Sequence, residues 1–276
     1  MLLYIKMVVV VLVSVSFNCT SFAQSKTDSD SLPSGKSELE FNVEIPIWIP
    51  GFRGRFSIGD ITIEGEGQNE NLLSQFFNSD LGVDYYFVGK VGVTKNKWQV
   101  QIDAFGGQLK DAIEFTYSQN QLVDVEVFTV MPRILVSYQI LEKDFKRKQA
   151  LLTKHIEFWI YGGCRYFYLN IKSELNAAIP ALNIIEDWFD PIIGFTVPLT
   201  IRRLTLVFQN DIGGFGLGSD LTYWYQLYGT FQVGKYISIG AGWAHLNINY
   251  SEERRNDSFS YKVVLRGPMV GVMFTF

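Results

Sequence analysis

Near the C-terminal end of the chain, the run KYISIGAGWAHLNINY sets Ile237, Ile239, Ala241 and Trp243 on one face and Ser238, Gly240, Gly242 and Ala244 on the other. A period of two with one apolar face is the mark of a β-strand. The alternation recurs upstream. Val83, Tyr85, Phe87, Val91 and Val93 oppose Asp84, Lys90 and Gly92, and Trp98, Val100, Ile102 and Ala104 oppose Gln99, Gln101 and Asp103. Leu204, Leu206 and Phe208 oppose Thr205, Gln209 and Asp211, and Leu221, Tyr223, Tyr225 and Leu227 oppose Thr222, Gln226 and Thr230.

A soluble β-sandwich alternates as well, so three further features decide. The alternating runs reach roughly 10 to 20 residues, against the usual 5 to 6 of globular sheets. Tyr and Trp fall toward the strand ends, where the aromatic girdles of a membrane barrel sit. The chain closes on VGVMFTF, with Val270, Val272, Phe274 and Phe276 on one face. A terminal alternating strand ending in Phe resembles the signal read by the outer-membrane barrel assembly machinery, which makes Phe274 and Phe276 the assembly signal. The pattern therefore predicts an all-β fold, an antiparallel transmembrane β-barrel.

Counting back from Phe276 gives strands near 258–276, 236–250, 219–234, 204–212, 188–200, 154–172, 122–141, 97–117 and 81–94. Bacterial single-chain barrels carry an even number, so a strand at 38–48 completes about ten, with eight and twelve as alternatives. TKNK (94–97), TIRR (200–203) and VGKY (233–236) are the short turns expected on the periplasmic side. The segments 173–187, 213–219 and 251–258 are the longer connections expected outside. Residues 50–80 hold a hairpin pattern, GRFSIGDITIEGEG, and a short helical pattern, NENLLSQFF. They predict either a plug or cap, or two more strands. Parity slips near Met131-Pro132 and Gly267-Pro268 read as bulges that turn Arg133 and Arg266 inward, because proline in a ladder marks an edge or a bulge.

The N-terminus adds a destination. Lys6 precedes an apolar run from Met7 to Phe17, too short to span a bilayer and suited to a secretory signal. Ser21 and Ala23 place cleavage after residue 23. Residues 24–37 read as a flexible polar leader and 38–276 as the barrel. Cys19 lacks the small residue that a lipidation site wants before it, since Asn18 stands there. Once Cys19 leaves with the signal, Cys164 is alone, which excludes an internal disulfide and a cysteine metal cluster. The net charge of −4 and scattered basic residues exclude nucleic acid as a partner.

Candidate chemistry is sparse. DIGGFGLGSD carries Gly213, Gly214, Gly216 and Gly218, but the lysine of a phosphate loop and a following helix are both missing, so it reads as a bend between strands. Of the two histidines, His155 sits at the foot of a strand. His245 shares the outward parity of Trp243 near the external rim, where it is a weak catalytic candidate. The inward face collects Asp84, Lys90, Asp103, Asp124, Glu126, Glu157, Arg165, Asp190 and Asp211, joined by Arg133 and Arg266. Salt bridges filling a narrow lumen explain this set better than a catalytic carboxylate pair does. A third reading is a ligand pocket with Trp159, Tyr161 and Phe167 beside Arg165.

The motifs GCRY (163–166), WFDPIIG (188–194), DIGGFGLGSD (211–220) and GWAHLNINY (242–250), with Trp98 and Asp103 upstream, resemble a group of bacterial outer-membrane barrel proteins of unassigned function. The resemblance covers most of the mature chain. It implies arginines after the DPxxG and glycine-aromatic motifs, where this sequence has Phe195, Thr196 and Ala244. Asp103, Arg133, Arg165, Asp190, Asp211 and Arg266 are then the expected lumen charge network. The expectation is a monomeric outer-membrane barrel in contact with outer-membrane lipid, without cofactor or metal. Its role would be non-enzymatic, in small-solute passage or envelope structure. The alternatives are a lipid hydrolase or acyltransferase with a rim site at His245, and a surface binding module using loops 173–187 and 251–258.

Overall fold

The structure, a computed structural model, describes residues 39–66, 83–109, 114–117, 121–146, 153–174, 182–253 and 258–276. The expected signal peptide and leader lie outside the described residues, as does the helical pattern NENLLSQFF.

The described residues form thirteen strands. They are β1 (Leu39–Trp48), β2 (Gly51–Ile58), β3 (Ile61–Glu66), β4 (Val83–Lys95), β5 (Trp98–Leu109), β6 (Glu114–Tyr117) and β7 (Gln121–Lys146), followed by β8 (Thr153–Glu174), β9 (Leu182–Ile201), β10 (Leu204–Gly213), β11 (Leu221–Gln232), β12 (Ile237–Glu253) and β13 (Ser258–Thr275). Ten of them, β1, β4, β5 and β7 to β13, close an antiparallel ring through the β1–β13 and β7–β8 pairings. The ring matches the ten runs read from the sequence. Closure gives each strand of the ring a neighbour on both sides, which satisfies the backbone where the wall faces lipid.

The three remaining strands answer the question of residues 50–80 in part. β2 and β3 are the hairpin GRFSIGDITIEGEG, and they bridge the wall a second time in the order β13–β2–β3–β6–β7. β1 and β2 run on along β13 without a change of register. Trp48 lies opposite Met269 and Gly51 opposite Arg266, and between them the Ile49 N–H donates to the Pro268 carbonyl at 3.0 Å.

The two expected bulges are absent. Pairing is continuous through Gly267-Pro268, where Trp243 faces Pro268 and His245 faces Arg266. It is also continuous through Met131-Pro132, where Phe105 faces Met131 and Ala104 faces Pro132. A proline takes one donor from the ladder but does not itself demand an extra residue. Arg133 therefore points inward by plain alternation, and Arg266 points outward and is exposed. The irregularity on β7 lies between Gln139 and Leu141.

Alternation persists along each strand, but the polarity of the two faces exchanges half-way. We call the end with the Asn96-Lys97 and Arg202-Arg203 turns the turn end and the other the loop end. On β12 the outward residues are Ile237, Ile239, Ala241 and Trp243 in the turn half, then His245, Asn247 and Ser251 in the loop half. The inward residues change from Ser238, Gly240 and Gly242 to Leu246, Ile248 and Tyr250. On β13, outward Val270 and Val272 give way to Arg266 and Lys262, while Leu265, Val263, Tyr261 and Phe259 turn in. On β8, inward Glu157 and Trp159 give way to Phe167, Leu169 and Ile171.

The turn half is thus built for lipid outside and polar groups inside. On β12 and β13 the loop half is built like a water-soluble barrel, polar outside and apolar within, while Ile185 and Phe189 on β9 and Leu221 on β11 stay exposed on its outer wall. Glu126, expected in the lumen, lies on the outer face beside Gln108, whose amide donates to it at 2.7 Å, while Val125 and Val127 are buried. The side chains of Asp84 and Asp124 are not among those described. The described residues of the segment 173–187 are strand, since β8 runs to Glu174 and β9 begins at Leu182 and buries Ile184 and Glu186.

Aromatic contacts hold the loop-half core together. Trp188 stacks on Tyr250 at 4.0 Å and on Phe167 at 4.8 Å, and Phe259 meets Tyr250 at 6.0 Å. In the turn half, Gly240 and Gly271 leave room for the Tyr228 ring, which occupies the space a side chain at either position would fill. Phe167 is 1% exposed, so Phe167→Ala is expected to cost about 3–5 kcal/mol. Asn247→Ala on the loop-half exterior should stay within about 0.5 kcal/mol of the parent. Urea unfolding of the purified barrel in lipid vesicles measures both.

Candidate functional site

Where the polarity exchanges, the lumen is crossed by a layer of charge. Asp103 on β5, Arg133 on β7, Arg165 on β8 and Asp211 on β10 each reach the lumen by ordinary alternation. The Arg133 guanidinium grips Asp103 with two bonds, Nε to Oδ1 at 2.7 Å and Nη2 to Oδ2 at 2.9 Å. Its Nη1 donates to Asp211 Oδ2 at 3.1 Å, and Arg165 Nη2 donates to Asp211 Oδ1 at 2.7 Å. Asp211 thus sits between two arginines and is 0% exposed. The Tyr161 hydroxyl adds a third donor to it at 3.1 Å, and Gln209 in turn donates to Tyr161 at 3.1 Å. Charges this deep need a partner of opposite sign, and the bidentate geometry is the strong form of the pair.

Asp190 joins the layer differently. It faces Arg165 across β8 and β9, and its Oδ1 accepts the Ser219 backbone N–H at 2.7 Å. Trp188 Nε1 donates to the Ser219 hydroxyl at 2.8 Å. The glycine loop therefore folds back onto β9, and its Gly214 N–H donates to the Pro191 carbonyl at 3.1 Å. Gly214 and Gly216 take φ of +88° and +74°, conformations that glycine adopts without cost. A side chain at Gly218 would run into the Phe189 carbonyl. The loop is a bend, as its sequence context suggests, and its first residue carries the charge layer. Gly213 is buried where the bend leaves β10.

On the turn side of the layer lies a polar recess of about 390 Å³, lined in part by Gln99, Gln101, Gln139, Gln209, Trp159 and Tyr161. Trp159 and Tyr161 meet the expectation of inward aromatics near Arg165, whereas Phe167 belongs to the apolar core above. At the mouth, His155 is hydrogen-bonded to Asp144 and Glu157, each at 2.8 Å, and Trp159 Nε1 donates to Glu157. Deeper in, Lys90 pairs with Glu44 at 3.2 Å. The alternation in EIPIW, with Glu44, Pro46 and Trp48 on one face, is the signal that places Glu44 inward. Trp224, which lies under Arg133 with the guanidinium 4.8 Å from its ring, is marked by the same kind of alternation on β11.

No family model matches the chain, and comparison with curated proteins gives no match. Among solved structures it is similar to the outer membrane protease OmpT of Escherichia coli, with a TM-score of 0.44 and 7% identity over 86% of this chain and 97% of that one. It is also similar to the translocator domain of the autotransporter NalP from Neisseria meningitidis, with a TM-score of 0.32 and 9% identity over 99% of this chain and 96% of that one. Neisserial surface protein A gives 0.27 and 13% over 86% and 97%. Likeness this loose carries nothing about what the present chain does.

Two expected site residues stand apart. Arg266 faces outward beside His245 and is not part of the lumen network. The His245 ring stacks on Tyr225 at 4.7 Å, on the outer wall at the edge of the apolar belt. Its neighbours are an aromatic ring and a cation, where a catalytic histidine needs an acid and a nucleophile. At the turn end, Phe276 exchanges backbone hydrogen bonds with Phe41 at 2.9 and 3.1 Å, and its ring stacks on Tyr236 at 6.2 Å.

Removing one member of the charge layer leaves its partners buried and uncompensated. Arg133→Met is expected to cost roughly 3–5 kcal/mol. Adding Asp103→Asn should recover part of that loss, because the stranded carboxylate becomes neutral. A double-mutant cycle on urea midpoints tests this, and strictly additive losses would contradict the coupling.

Proposed function

We propose that this chain is a monomeric outer-membrane barrel with a structural, non-conducting and non-enzymatic role in the envelope, and a member of the barrel group that its motifs resemble. The observation that carries this reading is the filling of the loop half. Phe56, Ile63, Phe167, Ile171, Leu246 and Phe259 point inward from five strands and are each 0–2% exposed, within one continuous apolar cluster. A pore wall at those positions would be wetted. The charge layer beneath crosses the same lumen with short ion pairs, at 2.7 to 3.1 Å.

An outer-membrane location is supported by the closed ring and by the exterior of the turn half, where Ile134, Val136, Ile193, Leu227 and Ile239 stand exposed in an apolar belt. Such a surface is stable in lipid and unstable in water. With the turn end toward the periplasm, Phe274 and Phe276 fall where the assembly machinery would meet the last strand, and the polar exterior of the loop half rises above the membrane.

Single-channel recording from the purified barrel in planar bilayers is expected to show no unitary conductance steps. Reproducible ohmic steps would overturn the sealed-barrel reading.

A further inference from the structure

The polar recess does not end at the charge layer. Glu44 and Lys90 stand in the walls of both the recess and a smaller chamber of about 60 Å³ beyond it. Arg165 and Trp224 line that chamber, and they are 1% and 9% exposed. Each holds a buried N–H donor without a hydrogen-bond partner, Arg165 Nη1 and Trp224 Nε1. Buried donors of this kind are costly unless something accepts from them. Among the described residues, the chamber walls set three cations, Lys90, Arg133 and Arg165, against two carboxylates, Glu44 and Asp103.

The recess has the opposite balance. Its described walls hold four carboxylates, Glu40, Glu44, Glu142 and Glu157, against Lys90 alone. Between mouth and chamber stand the four glutamine amides, able to donate and accept alike, with the Trp159 ring beside them. A solute lying along this axis meets negative charge at the mouth, paired donor and acceptor groups in the middle, and free donors at the floor. The recess volume falls within the roughly 300–1,000 Å³ of small-molecule sites.

We infer that the recess and chamber together bind a short peptide with both termini free. Its carboxylate sits against Arg165 Nη1, Trp224 Nε1 and Lys90. Its amide groups pair with the glutamines, and its ammonium faces the mouth carboxylates. An anion without the ammonium would be repelled at the mouth, and an amine without the carboxylate would leave the floor donors unused. The site opens at the turn end, and the inference does not depend on whether the barrel conducts.

The test is isothermal titration of the purified full-length barrel with triglycine, triglycinamide and N-acetyltriglycine. Saturable binding of triglycine is expected, weakened about tenfold or more in each blocked peptide, as the loss of one charge-assisted contact implies. Trp224→Phe keeps the ring and removes the N–H. It should weaken triglycine while leaving triglycinamide unchanged. Glu142→Gln at the mouth should weaken triglycine and leave N-acetyltriglycine unchanged. Heat-modifiable migration on gels verifies that each variant is folded. Three results would each overturn the assignment: no binding of triglycine at millimolar concentration, equal binding of triglycinamide, which would mean the chamber holds only water, or indifference of triglycine to Trp224→Phe in a folded barrel.

Discussion

A closed antiparallel sheet gives each residue two choices, inward or outward, and the choice alternates without exception while the register holds. That constraint governs this molecule. Its strands are longer than a membrane needs, up to 26 residues in β7, against the roughly 9–11 of a transmembrane strand. The same pleat must therefore serve two solvents. Lipid outside requires apolar residues outward, and water outside requires them inward. The chain meets both demands by exchanging the polarity of its faces while keeping the register, as the unbroken pairing of β12 with β13 from Ile237 to Glu253 shows.

The exchange creates a boundary inside the barrel, where polar lumen meets apolar core, and the charge layer occupies it. Asp103, Arg133, Asp211 and Arg165 come from four strands and tie them across the lumen. Buried ion pairs of this kind add little net stability over an apolar filling, but they are unforgiving of a missing partner. Their position fixes where the apolar core stops and the hydratable recess begins. Asp190 extends the arrangement to the loop end, because the carboxylate facing Arg165 also holds the glycine bend through Ser219.

Much of this was legible in the sequence. Ten alternating runs, the tight turns and the inward parity of Asp103, Arg165, Asp190 and Asp211 follow from local pattern, and Gly214 and Gly216 carry a bend for the reason glycine usually does. What misled was the assumption that the polar face is inward along the whole strand. That rule sent Glu126 into the lumen and made Arg266 require a bulge, whereas both sit outward above the lipid belt. The decisive signal was present in NINY and FSYKVVL, where apolar residues continue at period two on the opposite parity. Contacts between distant strands, such as Arg133 over Trp224 or Trp188 on Tyr250, have no local signature, since they depend on how the barrel closes.

The central claim is that one strand presents lipid, water and a dry core in turn, and a nitroxide scan of β12 in lipid vesicles tests it most directly. Labels at Ile237, Ile239 and Trp243 are expected to relax with oxygen, and labels at Asn247 and Ser251 with a water-soluble nickel chelate. Labels at Leu246, Ile248 and Tyr250 should respond to neither. Nickel access at those three inward positions would mean a water-filled lumen, and oxygen access continuing through Asn247 and Ser251 would mean that the membrane covers the whole strand. Either result would contradict the account.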